Sequence, residues 1–175
     1  MTRDRITALS GALCLPLLLA SCEQRKEPVA PQAPTAAHLT MGSGSVSTLV
    51  GRAAFSGDFK VKRKTDGWKT SFDSDAFDIA VQTIVFQPGS QSGWHMHPGP
   101  VFIQVVQGQM TFYDSTDPTC TPIVRNAGEG FLDTGEHAHI ARNETLTESR
   151  NVVTYFAPPG AALRIDAPDP GNCSF

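Results

Sequence analysis

The chain has 175 residues, 40% hydrophobic and 18% charged, which suits one domain with an ordinary core and leaves little room for a second. Its 14 basic and 17 acidic residues give a formal net charge of −3. No lysine or arginine stripe interleaved with aromatics runs along it, so composition and charge exclude nucleic acid as an electrostatic partner.

Residues 1–21 read as an export signal. Arg3 and Arg5 form a positive start, and Ala8 to Ala20 is an apolar run too short to cross a bilayer as a stable helix. Leu19-Ala20-Ser21-Cys22 follows, small residues ahead of a cysteine, and resembles the lipobox of bacterial lipoproteins. That resemblance implies cleavage before Cys22, a lipid anchor on its thiol, and a protein tethered to a membrane and facing the periplasm or the cell surface. Residues 22–46 are rich in Ala, Pro, Gln, Ser and Gly, with Pro28, Pro31 and Pro34 regularly spaced. Such a stretch cannot bury a core and reads as a tether, with His38 solvated in it.

The folded part, residues 47–175, reads as short strands separated by turn signals, with no sustained helical period. Phe77–Phe86 is β-branched and aromatic and is expected to stop at Pro88-Gly89. Val101–Val106 and Gln109–Asp114 flank Gln107-Gly108 and predict a hairpin. Asp117-Pro118 opens a loop. Gly130–Asp133, Ala138–Arg142 and Asn151–Phe156 are further strands, and the tail from Leu163 begins strand-like. The pattern predicts an all-β sandwich or barrel.

The chain has four cysteines. Cys14 leaves with the signal and Cys22 becomes the anchor. Cys120 and Cys173 remain, an even pair in an exported chain, so a disulfide is expected, with two free thiols as the alternative. Closing a loop of that length is worth roughly 3–4 kcal/mol in the chain-entropy account.

Two stretches carry the chemistry. Residues 94–100 read WHMHPGP and residues 135–143 read GEHAHIARN. In a strand, positions i and i+2 face the same side, so His95 and His97 project together, as do His137 and His139. If the two strands are neighbours, the imidazoles converge. Imidazole serves zinc, iron, nickel and copper alike, and three such ligands on a rigid sheet leave positions open.

From Gly89 the chain follows G-x5-H-x-H-x3-V-x6-G through His95, His97, Val101 and Gly108. This resembles the first motif of the cupin family, where glutamate usually stands at the position of Val101. Gly128, His139 and Asn143 match the glycine, histidine and asparagine of the second motif, while Thr134 and Glu136 replace its proline and second glycine. The resemblance implies a single cupin domain, a double-stranded β-helix or jelly-roll barrel. It implies a divalent metal ion (Fe, Mn, Zn, Ni or Cu) held by His95, His97 and His139. Val101 cannot coordinate, so a bound ion would keep its full +2 charge and welcome anions. His137 stays open between a fourth ligand and a second-shell wall residue beside the substrate. Glu136 is expected to be a solvated turn carboxylate and Trp94 a packing residue. The implied partner is a small-molecule ligand or substrate, and a homodimer is one oligomeric state open to such a domain. Two functional classes follow: a three-histidine Fe(II) dioxygenase-type oxidoreductase, or a non-catalytic binding or sensor module with a structural metal. A metal-independent sugar isomerase or epimerase ranks behind both.

Overall fold

A computed structural model describes residues 39–175. The expected signal, Cys22 and His38 lie outside the described residues. The described residues form twelve strands: β1 (Ser43–Phe55), β2 (Phe59–Thr65), β3 (Trp68–Ser74), β4 (Phe77–Gln91), β5 (His95–Met96), β6 (Val101–Gln107), β7 (Gln109–Asp114), β8 (Ile123–Asn126), β9 (Gly130–Asp133), β10 (His139–Arg142), β11 (Ser149–Ala157) and β12 (Ile165–Asp166). No helix occurs among the described residues.

Ten strands form one antiparallel sheet folded into two layers. One layer runs β1-β4-β11-β6-β9, the other β12-β5-β10-β7-β8, and they join at a corner where Arg142 pairs with Gln91. β2 and β3 pair separately as a hairpin. The inner faces of both layers share one core: Phe86, Val101, Ile103 and Val105 from one side pack with Met110 and Phe112 from the other. Inward and outward residues alternate along β6 and β11, as the expected period of two requires. The architecture is the jelly-roll barrel.

Three expectations change. First, the tether does not extend to residue 46. Leu39 pairs with Pro168, the Thr40 amide donates to Ala167 O, and Thr40 Oγ1 accepts the Trp94 amide at 2.6 Å. β1 begins at Ser43 and lies antiparallel to β4. Its side chains are almost all exposed, so no hydrophobic pattern announces it; backbone pairing holds it in place, helped by the Arg52–Asp78 ion pair and the stacking of Phe55 on Phe77. Second, β4 passes through Pro88-Gly89 to Gln91. Opposite this stretch the register with β1 jumps from Ser45↔Phe86 to Ser43↔Gln91, so Pro88 and Gly89 mark the bulge where β4 rounds the corner between layers.

Third, Gln107-Gly108 is not a hairpin turn. β6 pairs with β11 and β9, whereas β7 pairs with β10 and β8. Gly108 carries the chain across from one layer to the other. Its φ is 72°, and a Cβ there would meet Ser149 Oγ and, at 2.7 Å, Glu148 O, so only glycine fits the crossing. Ser149 Oγ fixes the far side by donating to Gln109 O at 2.6 Å and accepting from Gln109 N at 2.9 Å.

The C-terminal tail is bound to the barrel. Cys120 and Cys173 form a disulfide, their Cα atoms 5.3 Å apart. It packs on a second cluster of Trp94, Tyr113, Ile140 and Ala167. Trp94 is buried there, as packing predicts.

Candidate metal centre

β5 and β10 bring the histidine stretches together. His95 and His139 are direct cross-strand partners, and His97 follows two residues on, before Pro98-Gly99-Pro100 leads into β6. All three imidazoles are buried. Ring centroids lie 4.4 Å apart for His95–His139, 4.9 Å for His95–His97 and 5.3 Å for His97–His139. One nitrogen from each ring lies within 4.8 Å of the others, a spacing that small side-chain rotations bring onto a common centre.

Backbone carbonyls set the tautomers of two rings. His95 Nδ1 lies 2.8 Å from Gly93 O, and His97 Nδ1 lies 2.6 Å from Leu163 O. A carbonyl oxygen only accepts, so each Nδ1 carries the hydrogen and each Nε2 offers a lone pair. Burial, with His139 and other neighbouring cationic groups assisting, pushes His95 down to about 2. Burial likewise pushes His97 down to about 4, against the bond to Leu163 O. Both rings are therefore neutral near pH 7. Neutral imidazoles with oriented lone pairs in a buried cluster are the donor set a divalent transition metal takes, so the residues present fit such an ion.

Asp133, which the sequence reading did not single out, closes this cluster. It ends β9 directly across from Val101 and is buried. Its Oδ1 accepts the Gly135 amide at 2.9 Å. Its Oδ2 lies 3.2 Å from His139 Nδ1 and 3.7 Å from His97 Nε2. Burial opposes ionisation, yet the adjoining His139 ring and the Gly135 amide hold the carboxyl below the usual range. The signal was legible: β9 alternates, and the period places Asp133 on the inner face with Phe131. A carboxylate on an inner face needs a partner there.

The remaining candidates fall elsewhere. His137 is exposed in a bend ahead of β10 and stands apart from the three-histidine cluster, because the period of two does not reach back through a turn. It is not among the residues that line the cavity. Glu136 is exposed in the same bend, within 3.4 Å of Thr134 Oγ1, as a solvated turn carboxylate should be. Val101 is fully buried in the core. Asn143 is also fully buried and structural: its Nδ2 donates to Phe86 O and Thr147 O, and its Oδ1 accepts from Thr145.

The three histidines line a cavity of about 420 Å³. Its walls are mainly apolar, with Ile84, Phe86, Ile103, Phe112 and Val153 among them. Polar groups sit at a few points. Tyr155 OH donates to Gln82 Oε1 at 3.0 Å, and burial pushes the phenol up to about 12, so it stays protonated. Asn151 Oδ1 is buried without a hydrogen-bond partner. Arg164 pairs with Asp166 at 2.6 Å, both partly exposed. An apolar chamber with a few convergent polar groups is the usual form of a small-molecule site.

No family model and no curated protein matches the chain. Solved structures do resemble it. One is an uncharacterized conserved protein with a double-stranded β-helix domain from Klebsiella pneumoniae, at 15% identity and a TM-score of 0.49, covering 71% of this chain and 86% of that one. A cupin domain of an XRE-family transcriptional regulator from Enterobacter cloacae aligns at 13% identity and a TM-score of 0.43, over 66% of this chain and 98% of that one. An oxalate decarboxylase from Lactobacillus farciminis, solved with formate, aligns at 19% identity and a TM-score of 0.44, over 50% of this chain but only 26% of its own length. At these identities the likeness is one of fold.

Proposed function

We propose that this domain binds a divalent transition-metal ion through His95, His97 and His139 and takes a small molecule into the adjoining cavity. One observation carries the reading. The Gly93 and Leu163 carbonyls fix two buried tautomers, leaving Nε2 of His95 and His97 free beside His139. When bound, the ion supplies Lewis acidity and, if it is iron, reactivity toward dioxygen. The chain's own residues do the rest. Ile103, Phe112 and Val153 keep the chamber apolar, while Asn151 and the Gln82–Tyr155 pair offer polar handles to a ligand. A three-histidine oxygenase-type oxidoreductase is the enzymatic form of this reading.

A second reading, a non-catalytic binding or sensor module, draws on another observation. Beyond the histidines, the titratable groups lining the cavity are Tyr155, held protonated, and the Arg164–Asp166 ion pair. Among the described residues, no unpaired carboxylate lines the chamber. Either form suits an exported lipoprotein anchored through Cys22. The Cys120–Cys173 disulfide supports an oxidising compartment.

Elemental analysis of the purified protein and of His95→Ala tests the proposal. One ion per chain, lost in the variant, is expected. Wild-type protein that takes up no Fe, Mn, Zn, Ni or Cu overturns it. Oxygen consumption by the iron-loaded protein across a substrate panel then separates the two forms. For the anchor, Cys22→Ala should move the protein from the membrane to the soluble fraction, and unchanged partitioning contradicts it.

A further inference from the structure

We propose that Asp133 is the positioning carboxylate of this centre: it accepts the Nδ1–H of His139 and so presents His139 Nε2 to the ion. The inference rests on the metal-binding reading above and adds to it the residue that orients the third ligand. For His95 and His97 an acceptor-only oxygen already holds Nδ1–H. Among the described residues, no carbonyl holds His139 Nδ1 in this way. Its Nδ1 is buried with no aligned hydrogen-bond partner, and so is Asp133 Oδ2. These two orphaned atoms face each other at 3.2 Å. A slight turn of the ring joins them and satisfies both, and buried polar groups are rarely left unpaired. A metal-bound histidine ordinarily gives its other nitrogen to such an acceptor.

Asp133 is itself held in place. β9 pairing sets its backbone opposite Val101, and the Gly135 amide holds Oδ1. Gly135 has φ of 85°, and a Cβ there would meet Gly99 O at 2.7 Å and His97 O at 3.0 Å. Only glycine lets the chain bend back so closely, and that bend delivers the amide to Asp133. The carboxylate thus comes from the strand beside Val101. It places a negative charge next to the ion while leaving a coordination position free.

Two readouts test this on the zinc-loaded protein. Chelator competition should show Asp133→Asn binding zinc about 10- to 100-fold more weakly with stoichiometry unchanged, and Asp133→Ala more weakly still. Long-range proton–nitrogen NMR should show His139 as the Nδ1–H tautomer in wild type, with that preference lost in Asp133→Ala. A merely structural role would leave the tautomer alone. Wild-type affinity together with an unchanged tautomer in both variants overturns the proposal. So does loss of an oxygen ligand at the zinc edge in X-ray absorption of Asp133→Asn, which would make Asp133 a direct ligand. If the wild type takes up no metal, the metal-binding reading fails separately. The NMR comparison on metal-free protein then still decides the pairing: a tautomer preference that depends on Asp133 supports it, and one that does not overturns it.

Discussion

Residues 95–97 and 137–139 share the spelling H-x-H, and the fold treats them differently. The first delivers both imidazoles to the interior, and the second delivers only His139. The difference lies in the backbone. Each ring of the first stretch has a carbonyl held for it, from Gly93 and from Leu163. In the second stretch the bend at residues 135–137 ends just before β10 begins, so His137 turns out to solvent. Spacing predicts a shared face only where the chain is extended on both sides of the pair. The centre gains a carboxylate in exchange, because the same bend ties Gly135 to Asp133.

The largest expected effect separates the two histidines of the second stretch. His139→Ala should abolish stoichiometric metal uptake, and His137→Ala should leave it unchanged, both read by titration calorimetry of the folded proteins. Equal losses would break the comparison.

The disulfide comes next. It closes the tail over the cluster of Trp94 and Ile140, one residue from each stretch. Cys120→Ser should lower unfolding free energy by roughly 3–4 kcal/mol in chemical denaturation. A change below about 1 kcal/mol would mean the tail holds without it.

A graded effect of pH follows. His97 sits at about 4 in the folded protein against 6.5 for an ordinary histidine. Between these values the unfolded chain binds the extra proton, so the metal-free protein should lose stability as pH falls from 6.5 to 4, the His97 contribution being complete below that. His95 extends the trend in the same direction. Denaturation midpoints across that range check it, and a flat profile would contradict the burial of neutral rings.

The smallest expected effect is that of His137→Gln, within about 0.5 kcal/mol of unfolding free energy. A larger change would give His137 a role the fold does not show.

Much of the fold was legible because burial writes a pattern. β6 and β11 alternate inward and outward, and their apolar residues form the core. The disulfide followed from counting cysteines in a chain whose first residues read as an export signal. What stayed hidden does not depend on hydrophobic burial. β1 is held by backbone pairing along an almost wholly exposed strand. The step at Gly108 looks locally like a hairpin turn, and only the long-range partners of β6 and β7 distinguish a layer crossing. At the site, residue type and spacing pointed to His95, His97 and His139. Asp133 was missed because its signal lies in the period of a four-residue strand and in a cross-strand neighbour, Val101, that is distant in sequence.

The central claim is that imidazoles from two separate stretches meet on one ion. Metal-edge X-ray absorption of the zinc-loaded protein tests it most directly. Scattering from three imidazoles at about 2.0–2.1 Å is expected, and it should disappear in His139→Ala, which retains no stoichiometric zinc. A spectrum fitted by oxygen ligands alone, or one that His139→Ala leaves unchanged, would contradict it.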